Sequence, residues 1–201
     1  MIQLREIGTI VRLQIQRSPL KVGQKPHRVY DTSPLLSVSS LRVSPDGVIA
    51  LLPDNQTAID VHHAHHPHSQ NAGPNGVSIG FTPNYAGMRE RFGDHMTDGC
   101  AGENILIETG ESLEWSDVER GVMIRCSAAG ADLWLGDILV AQPCVEFSRY
   151  TLRMPEVEKG SLEIRQALQF LEHGTRGFYA TPSNHGEPLV VSIGDRVYLP
   201  Q

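Results

Sequence analysis

The chain is poor in cysteine. Cys100, Cys126 and Cys144 are the whole set in 201 residues, and no two of them form a Cys-x-x-Cys pair. An odd, scattered set excludes a disulfide framework and fits a reducing compartment where thiols persist. Long apolar runs are also missing. No stretch nears the roughly 18 consecutive apolar residues of a membrane helix, and Arg5 and Glu6 interrupt the apolar pattern that a signal peptide would need at the N-terminus. The expectation is therefore a cytoplasmic protein with no membrane partner. Excess positive charge is absent too: the formal net charge is −6. That argues against a nucleic-acid partner, since phosphate-backbone binders carry a basic surface. A local basic patch stays open, because Arg89, Arg91, Arg149, Arg153, Arg165 and Arg176 fall in the second half.

Several motifs are missing as well. No Gly-x-Ser-x-Gly elbow exists to make Ser148, Thr151 or Ser183 a nucleophile. Regular strand–helix alternation is lacking, which excludes a doubly wound sheet. What is present is 40% hydrophobic residues in short runs, enough for one sizeable domain over residues 1–201. The first fifty residues read as strands, with Ser44-Pro45-Asp46-Gly47 as a turn. Residues 53–80 crowd His, Asn, Pro and Gly into a long irregular excursion. A helix is expected over Thr82–Phe92, with Pro83 in its first turn and Gly93 as its stop. A second is expected from Ser161 to His173, with Ile164, Ala167, Leu168 and Leu171 on one face. Leu135-Gly136-Asp137 and Ile193-Gly194-Asp195 both place Gly-Asp between apolar runs, as suits the corners of a closed barrel. The expected fold is a mixed β-barrel, mostly β with a few helices.

Three places carry candidate chemistry. Pro143 interrupts the strand that begins near Asp137, so Cys144 falls where a strand ends and a side chain can be aimed into a cleft. Its thiolate could ligate a soft metal or carry sulfur, and the competing reading is a buried small hydrophobe. The loop Gly99–Asn104 has glycines that let amides approach an anion, or it is simply a tight turn. It is neither a Walker loop nor a dinucleotide-binding turn. The run His62-His63-Ala64-His65-His66-Pro67-His68 could bind zinc or nickel, although it lacks the separated ligand spacing of a structural zinc site. A non-enzymatic metal-binding protein built on His62–His68 is thus a rival reading.

Taken in order, these pieces resemble a known family. Gly102-Glu103-Asn104 opening a strand, Leu135-Gly136-Asp137 and then Pro143-Cys144 resemble the MOSC domain, found at the C-terminus of molybdenum cofactor sulfurases and as stand-alone bacterial proteins. Asp60-Val61-His62-His63 looks like a variant of the family's Asp/His-Gly segment, with the glycines replaced. Gly177-Phe178-Tyr179 and Gly194-Asp195-Arg196-Val197 look like its closing elements. The resemblance spans residues 45–200, with 1–44 as lead-in strands. It implies a link to molybdenum cofactor (molybdopterin), either in reduction of N-hydroxylated compounds or in sulfur transfer. It implies Cys144 as the catalytic thiol and molybdenum ligand, with Gly102, Glu103, Asn104 and Arg149 around the cofactor and His62 and His63 as further metal ligands. In sulfurases the domain follows a pyridoxal-phosphate-dependent desulfurase, and this chain shows no lysine in a recognisable segment for that cofactor. Its implied partners are a small-molecule substrate or cofactor and a protein that donates sulfur or electrons.

Overall fold

A computed structural model describes residues 3–156, 158–183 and 187–201. In chain order the strands and helices are β1 (Leu4–Gln16), β2 (Lys21–Val22), β3 (Val29–Tyr30), β4 (Leu35–Val38), β5 (Ser40–Ser44), β6 (Gly47–Leu51), β7 (Thr57–Ile59), β8 (Val77–Phe81), α1 (Thr82–Phe92), β9 (Ile105–Thr109), α2 (Trp115–Val118), β10 (Val122–Cys126), β11 (Ala131–Val140), α3 (Val145–Leu152), α4 (Leu162–Leu171), β12 (Phe178–Pro182), β13 (Leu189–Ser192) and β14 (Arg196–Pro200).

Seven of the described strands close on themselves in the order β14-β10-β11-β12-β8-β9-β1, and β1 pairs back onto β14. The result is the expected mixed barrel, with four α-helices among the described residues. The pairings are antiparallel except β8–β9, which is parallel because α1 carries the chain back across the sheet. β1 is long enough to be shared. Its first half pairs with β14, its second half with β4, and its other edge with β9. The N-terminal strand is thus a stave of the barrel itself. Register shifts at Glu6/Gly8 and Ile10/Arg12 supply the bulges that bend so long a strand around the closure. A second sheet, β13-β5-β6-β7, flanks the barrel.

The interior follows from alternation along the staves. Ile10, Ile79, Phe81, Ile105, Ile107, Ile124, Leu133, Leu135, Phe178 and Val197 are buried in one cluster. A smaller apolar cluster, including Tyr30, Tyr85, Met88, Cys100, Leu106, Phe147 and Leu171, ties the helices to the barrel wall. The Gly-Asp corners serve as expected. Between Gly136 and Leu139 the β11–β12 register shifts, with Asp137 at φ 47°. Asp195 turns its carboxylate onto the amides of Ser192 and Ser127. Two of the helices match the expected ones, with Ser161 accepting from Ile164 N as the cap of α4. Two more, α2 and α3, lie in stretches for which the sequence reading names no element.

Candidate functional site

A cleft of ≈ 220 Å³ opens beside the parallel β8–β9 pair. Its wall is drawn from distant parts of the chain: Gln16 to Tyr30 after β1, His62 and Gln70 of the histidine-rich loop, Ser78 and Ile79 of β8, Ala101 to Glu103, and Gln142 and Arg176 to Tyr179 at the β11–β12 end.

The Gly99–Asn104 loop forms one side. Side chains of neighbouring elements hold it. Gln14 Nε2 donates to the carbonyls of Gly99 and Glu103, Gln16 Nε2 to Gly102, and Tyr30 Oη to Cys100. The loop's amides are already engaged: Cys100 N bonds Thr97 O, Ala101 N bonds Tyr85 Oη, and Gly102 N bonds Gly99 O. What the loop brings to the cleft is therefore a side chain, Glu103. Gly102 sits at φ +91°, where a Cβ would come within 2.7 Å of Leu20 and 2.9 Å of Gln16 Nε2.

Glu103 is 4% exposed. Its Oε2 accepts from Tyr85 Oη at 2.8 Å, while Oε1 is buried without a partner among the described residues. Gly80 makes room for that oxygen, since a Cβ there would lie 2.9 Å from it. Burial pushes the Glu103 carboxyl up to about 7, against the smaller opposing pull of the Tyr85 bond, Arg176 and Arg12. Asn104 differs entirely. Its Oδ1 accepts from Ser78 N and Oγ, and its Nδ2 donates to Gln14 O and Asp60 Oδ2. Every polar atom is spent, so Asn104 cross-links β1, β8 and the histidine loop.

Asp60 is fully buried and holds the next loop. Its Oδ2 accepts from Gln16 N, and its Oδ1 accepts from His62 N and sits 3.1 Å from His62 Nδ1. With Nδ1 turned to Asp60, Nε2 is the ring nitrogen left for the cleft, which His62 lines. His63 is buried elsewhere, under Gly47, and its Nδ1 accepts from His65 N. Burial lowers its pKa. His65 lies against His63 with 5.6 Å between ring centres and His66 against His68 at 6.3 Å, and of this run only His62 lines the cleft. Among the described residues no three His, Cys, Asp or Glu side chains are grouped to hold a metal ion.

The remaining wall is cationic. Lys21, Arg28 and Arg176 line the cleft, and Arg28 is paired with Glu146 at 2.9 Å. Arg176 Nη1 donates to Gln142 O, its guanidinium lies 5.5 Å from the Phe147 ring centre, and its Nε is buried with no partner among the described residues. Burial opposes its charge, but Tyr30, Tyr179 and Cys144 nearby hold its pKa above the ordinary arginine value. Cys144 stands two residues beyond Gln142 as the cap of α3. It is half-buried, its Sγ accepts from Phe147 N at 3.5 Å, and it packs against the cluster that contains Tyr30 and Phe147. Arg149 lies on the other side of that helix, where Nη1 donates to Pro26 O and the side chain lines a separate apolar hollow with His95 and Tyr150.

The structure thus gathers Gly102, Glu103 and His62 at one cleft, leaves Cys144 outside its lining though near Arg176 and Tyr30, which do line it, and places Arg149 and His63 elsewhere. Arg176 was one of six candidates for a basic patch and was not singled out; its only local signal is its position before Gly177-Phe178-Tyr179. Lys21 and Arg28, on the β2–β3 hairpin, carried no signal, because nothing periodic marks a side chain that reaches across a cleft.

These features define a closed mixed barrel with a cationic cleft at its parallel strand pair. No family model matches the chain, and no curated protein matches it in sequence. Solved structures do share the fold. The YuaD protein from Bacillus subtilis superposes with a TM-score of 0.59 over 99% of this chain and 98% of that one, at 12% identity. YiiM from Geobacillus stearothermophilus gives 0.50 over 99% and 76%, at 14% identity. YiiM from Escherichia coli gives 0.50 over 83% and 65%, at 16% identity.

Proposed function

We propose that this chain is a MOSC-type protein whose cleft binds the molybdenum cofactor, with Cys144 as thiolate ligand or sulfur carrier. The observation that carries the reading is Arg176. An acidic chain brings to the cleft a half-buried guanidinium, its Nε buried without a partner among the described residues, beside Lys21 and Arg28, which is the donor set that a phosphate-bearing ligand needs. The fold shared with YuaD and YiiM and the order of the family-like motifs support the same reading.

The residues fit such a group. Arg176, Lys21 and Arg28 would hold its phosphate, and the orphaned oxygen of Glu103 offers a polar contact to its ring system. Cys144, two residues beyond Gln142 of the lining and with its Sγ accepting from the Phe147 amide, would supply the thiolate. When bound, the cofactor supplies a metal–sulfur centre for reductive or sulfur-transfer chemistry. The chain's own work is to orient it, exclude water with Tyr30 and Phe178 of the cleft wall, and manage a proton at Glu103.

Expression in a host that makes the cofactor, followed by elemental analysis, tests this. Molybdenum should co-purify with the wild-type chain and be lost from Cys144→Ser and Arg176→Gln. A wild-type chain without molybdenum, or undiminished loading in both variants, sinks the reading. The histidine-rich store has no comparable support, since no three of its side chains are grouped to hold a metal ion among the described residues.

A further inference from the structure

Glu103 and Arg176, which line the same cleft, each leave one buried polar atom without a partner among the described residues, and buried orphans call for an explanation. The hydrogen-bond pattern restricts what Glu103 can do. Tyr85 Oη accepts from Ala101 N at 3.0 Å, so its own proton goes to Glu103 Oε2 at 2.8 Å. Oε2 is therefore committed as an acceptor. Any proton on this carboxyl sits on Oε1, the oxygen with no partner among the described residues.

We propose that Glu103 is the proton-exchanging group of the cleft: an oxyanion held by Arg176 binds together with one proton, which Glu103 Oε1 carries and donates to the anion. The inference rests on the cleft being an anion site. The proton comes from solvent and forms the O–H bond at Oε1, the anion accepts a hydrogen bond from it, and no bond between heavy atoms changes.

The charged and titratable groups around Glu103 decide the direction of coupling. They are Tyr85 from α1, Arg12 from β1, Cys100 from its own loop, Tyr30 from β3 and Arg176 before β12. His62, Lys21 and Arg28 face it across the cleft. Burial keeps Tyr30, Tyr85 and Cys100 neutral at physiological pH by raising their pKa values, Cys100 to about 12. The Tyr85 hydrogen bond, the Glu103 backbone amide, Arg176 and Arg12 favour a charged Glu103, and burial outweighs them. An anion arriving beside the carboxyl opposes ionisation further, so binding and protonation reinforce each other.

Inorganic sulfate is the probe, because it stays a dianion across the range and contributes no proton of its own. Isothermal titration of the full chain in buffers of differing ionisation enthalpy reads the proton uptake. Sulfate should bind about tenfold more weakly near pH 8 than near pH 6, with a proton taken up at the higher pH. Glu103→Gln keeps an acceptor for Tyr85 and a donor for the cleft but cannot ionise. It should bind sulfate near pH 8 as the wild type does near pH 6, with no proton uptake. Difference infrared spectra of the wild-type chain give a second readout independent of that variant: the carboxylic-acid C=O band should grow as sulfate is added near pH 8. Absence of sulfate binding, binding without proton uptake, or an unchanged pH dependence in Glu103→Gln (which would assign it to His62 or another group) overturns the proposal. None of these measurements uses molybdenum. Sulfate-linked proton uptake in a chain that never loads the metal leaves this inference standing and removes the cofactor reading; metal loading without proton uptake does the reverse.

Discussion

Glu103 and Asn104 are neighbours in sequence and opposites in role, and substitution separates them. Glu103 has a folded-state pKa of about 7 against an ordinary value of 4.5. Between those values the folded chain keeps a proton that the unfolded chain has released, so stability falls as pH rises through the window and stays lower above it. The difference corresponds to about 3 kcal/mol as an order of magnitude. Glu103→Gln removes the ionisation and keeps the Tyr85 bond. It should match the wild type near pH 5 and exceed it by up to about 3 kcal/mol near pH 8 in urea unfolding. A stability gap that does not widen with pH would falsify the desolvation argument. Asn104→Ala should act oppositely, costing about 2–4 kcal/mol at every pH, because it strands the Ser78 amide and removes one donor from the buried Asp60 carboxylate. The Gly-Glu-Asn motif marked both residues from sequence. That one is a structural cross-link and the other an orphaned acid depends on Ser78, Asp60 and Tyr85, which are 18 to 44 residues away in the chain.

At the scale of elements, α1 and α4 were legible because each carries its own punctuation: Pro83 and Gly93 around one, the Ser161 cap before the other. The third helix was not. Val145-Glu146-Phe147-Ser148-Arg149-Tyr150-Thr151-Leu152 is rich in β-branched and aromatic residues that favour strands. It coils because Cys144 caps it and because Phe147 and Tyr150 pack on Tyr30 at 4.9 and 5.3 Å between ring centres. Tertiary contact overrides propensity here, and it turns Arg149 away from the cleft. The glycines allow a sharper test at this scale. Gly177 has φ +118°, and a Cβ would lie 2.7 Å from Ile79 O on the paired strand β8. Gly194 has φ +89° and nothing within 4 Å of a Cβ. Alanine at Gly194 should cost only backbone strain, about 1 kcal/mol, whereas alanine at Gly177 should cost about 3 kcal/mol or more, because β12 must also move off β8. Equal losses in chemical denaturation would mean that the β8–β12 contact is not tight.

The whole molecule is governed by closure. Short strands with Gly-Asp corners made a barrel legible, but its seam was not: β1 meets β14 across nearly the entire sequence, at Leu4 opposite Pro200. Neither the hydrophobic pattern nor turn chemistry encodes so remote a register. Nor does either show that β8 and β9 run parallel. Closure has a consequence for the three thiols. Cys126 points into the barrel core from β10 and is 0% exposed, so a reagent reaches it only when the closed sheet opens. Cys100 lies outside the barrel, 3% exposed in the smaller cluster under α1 and α3, where local opening suffices. Cys144 is half-buried at a helix start. Three separate reactivities should follow in a thiol-exchange experiment: Cys144 modified first, Cys100 slowly with a weak dependence on denaturant, and Cys126 with the full denaturant dependence of global unfolding. The last of these is the strictest. If Cys126 reacted with a smaller dependence than unfolding measured by circular dichroism, β10 could leave its partners β11 and β14 while the rest stayed folded. The barrel wall would then open at β10 instead of holding as one closed sheet, and the cleft could not count on a rigid scaffold to hold Arg176 and Glu103 in place.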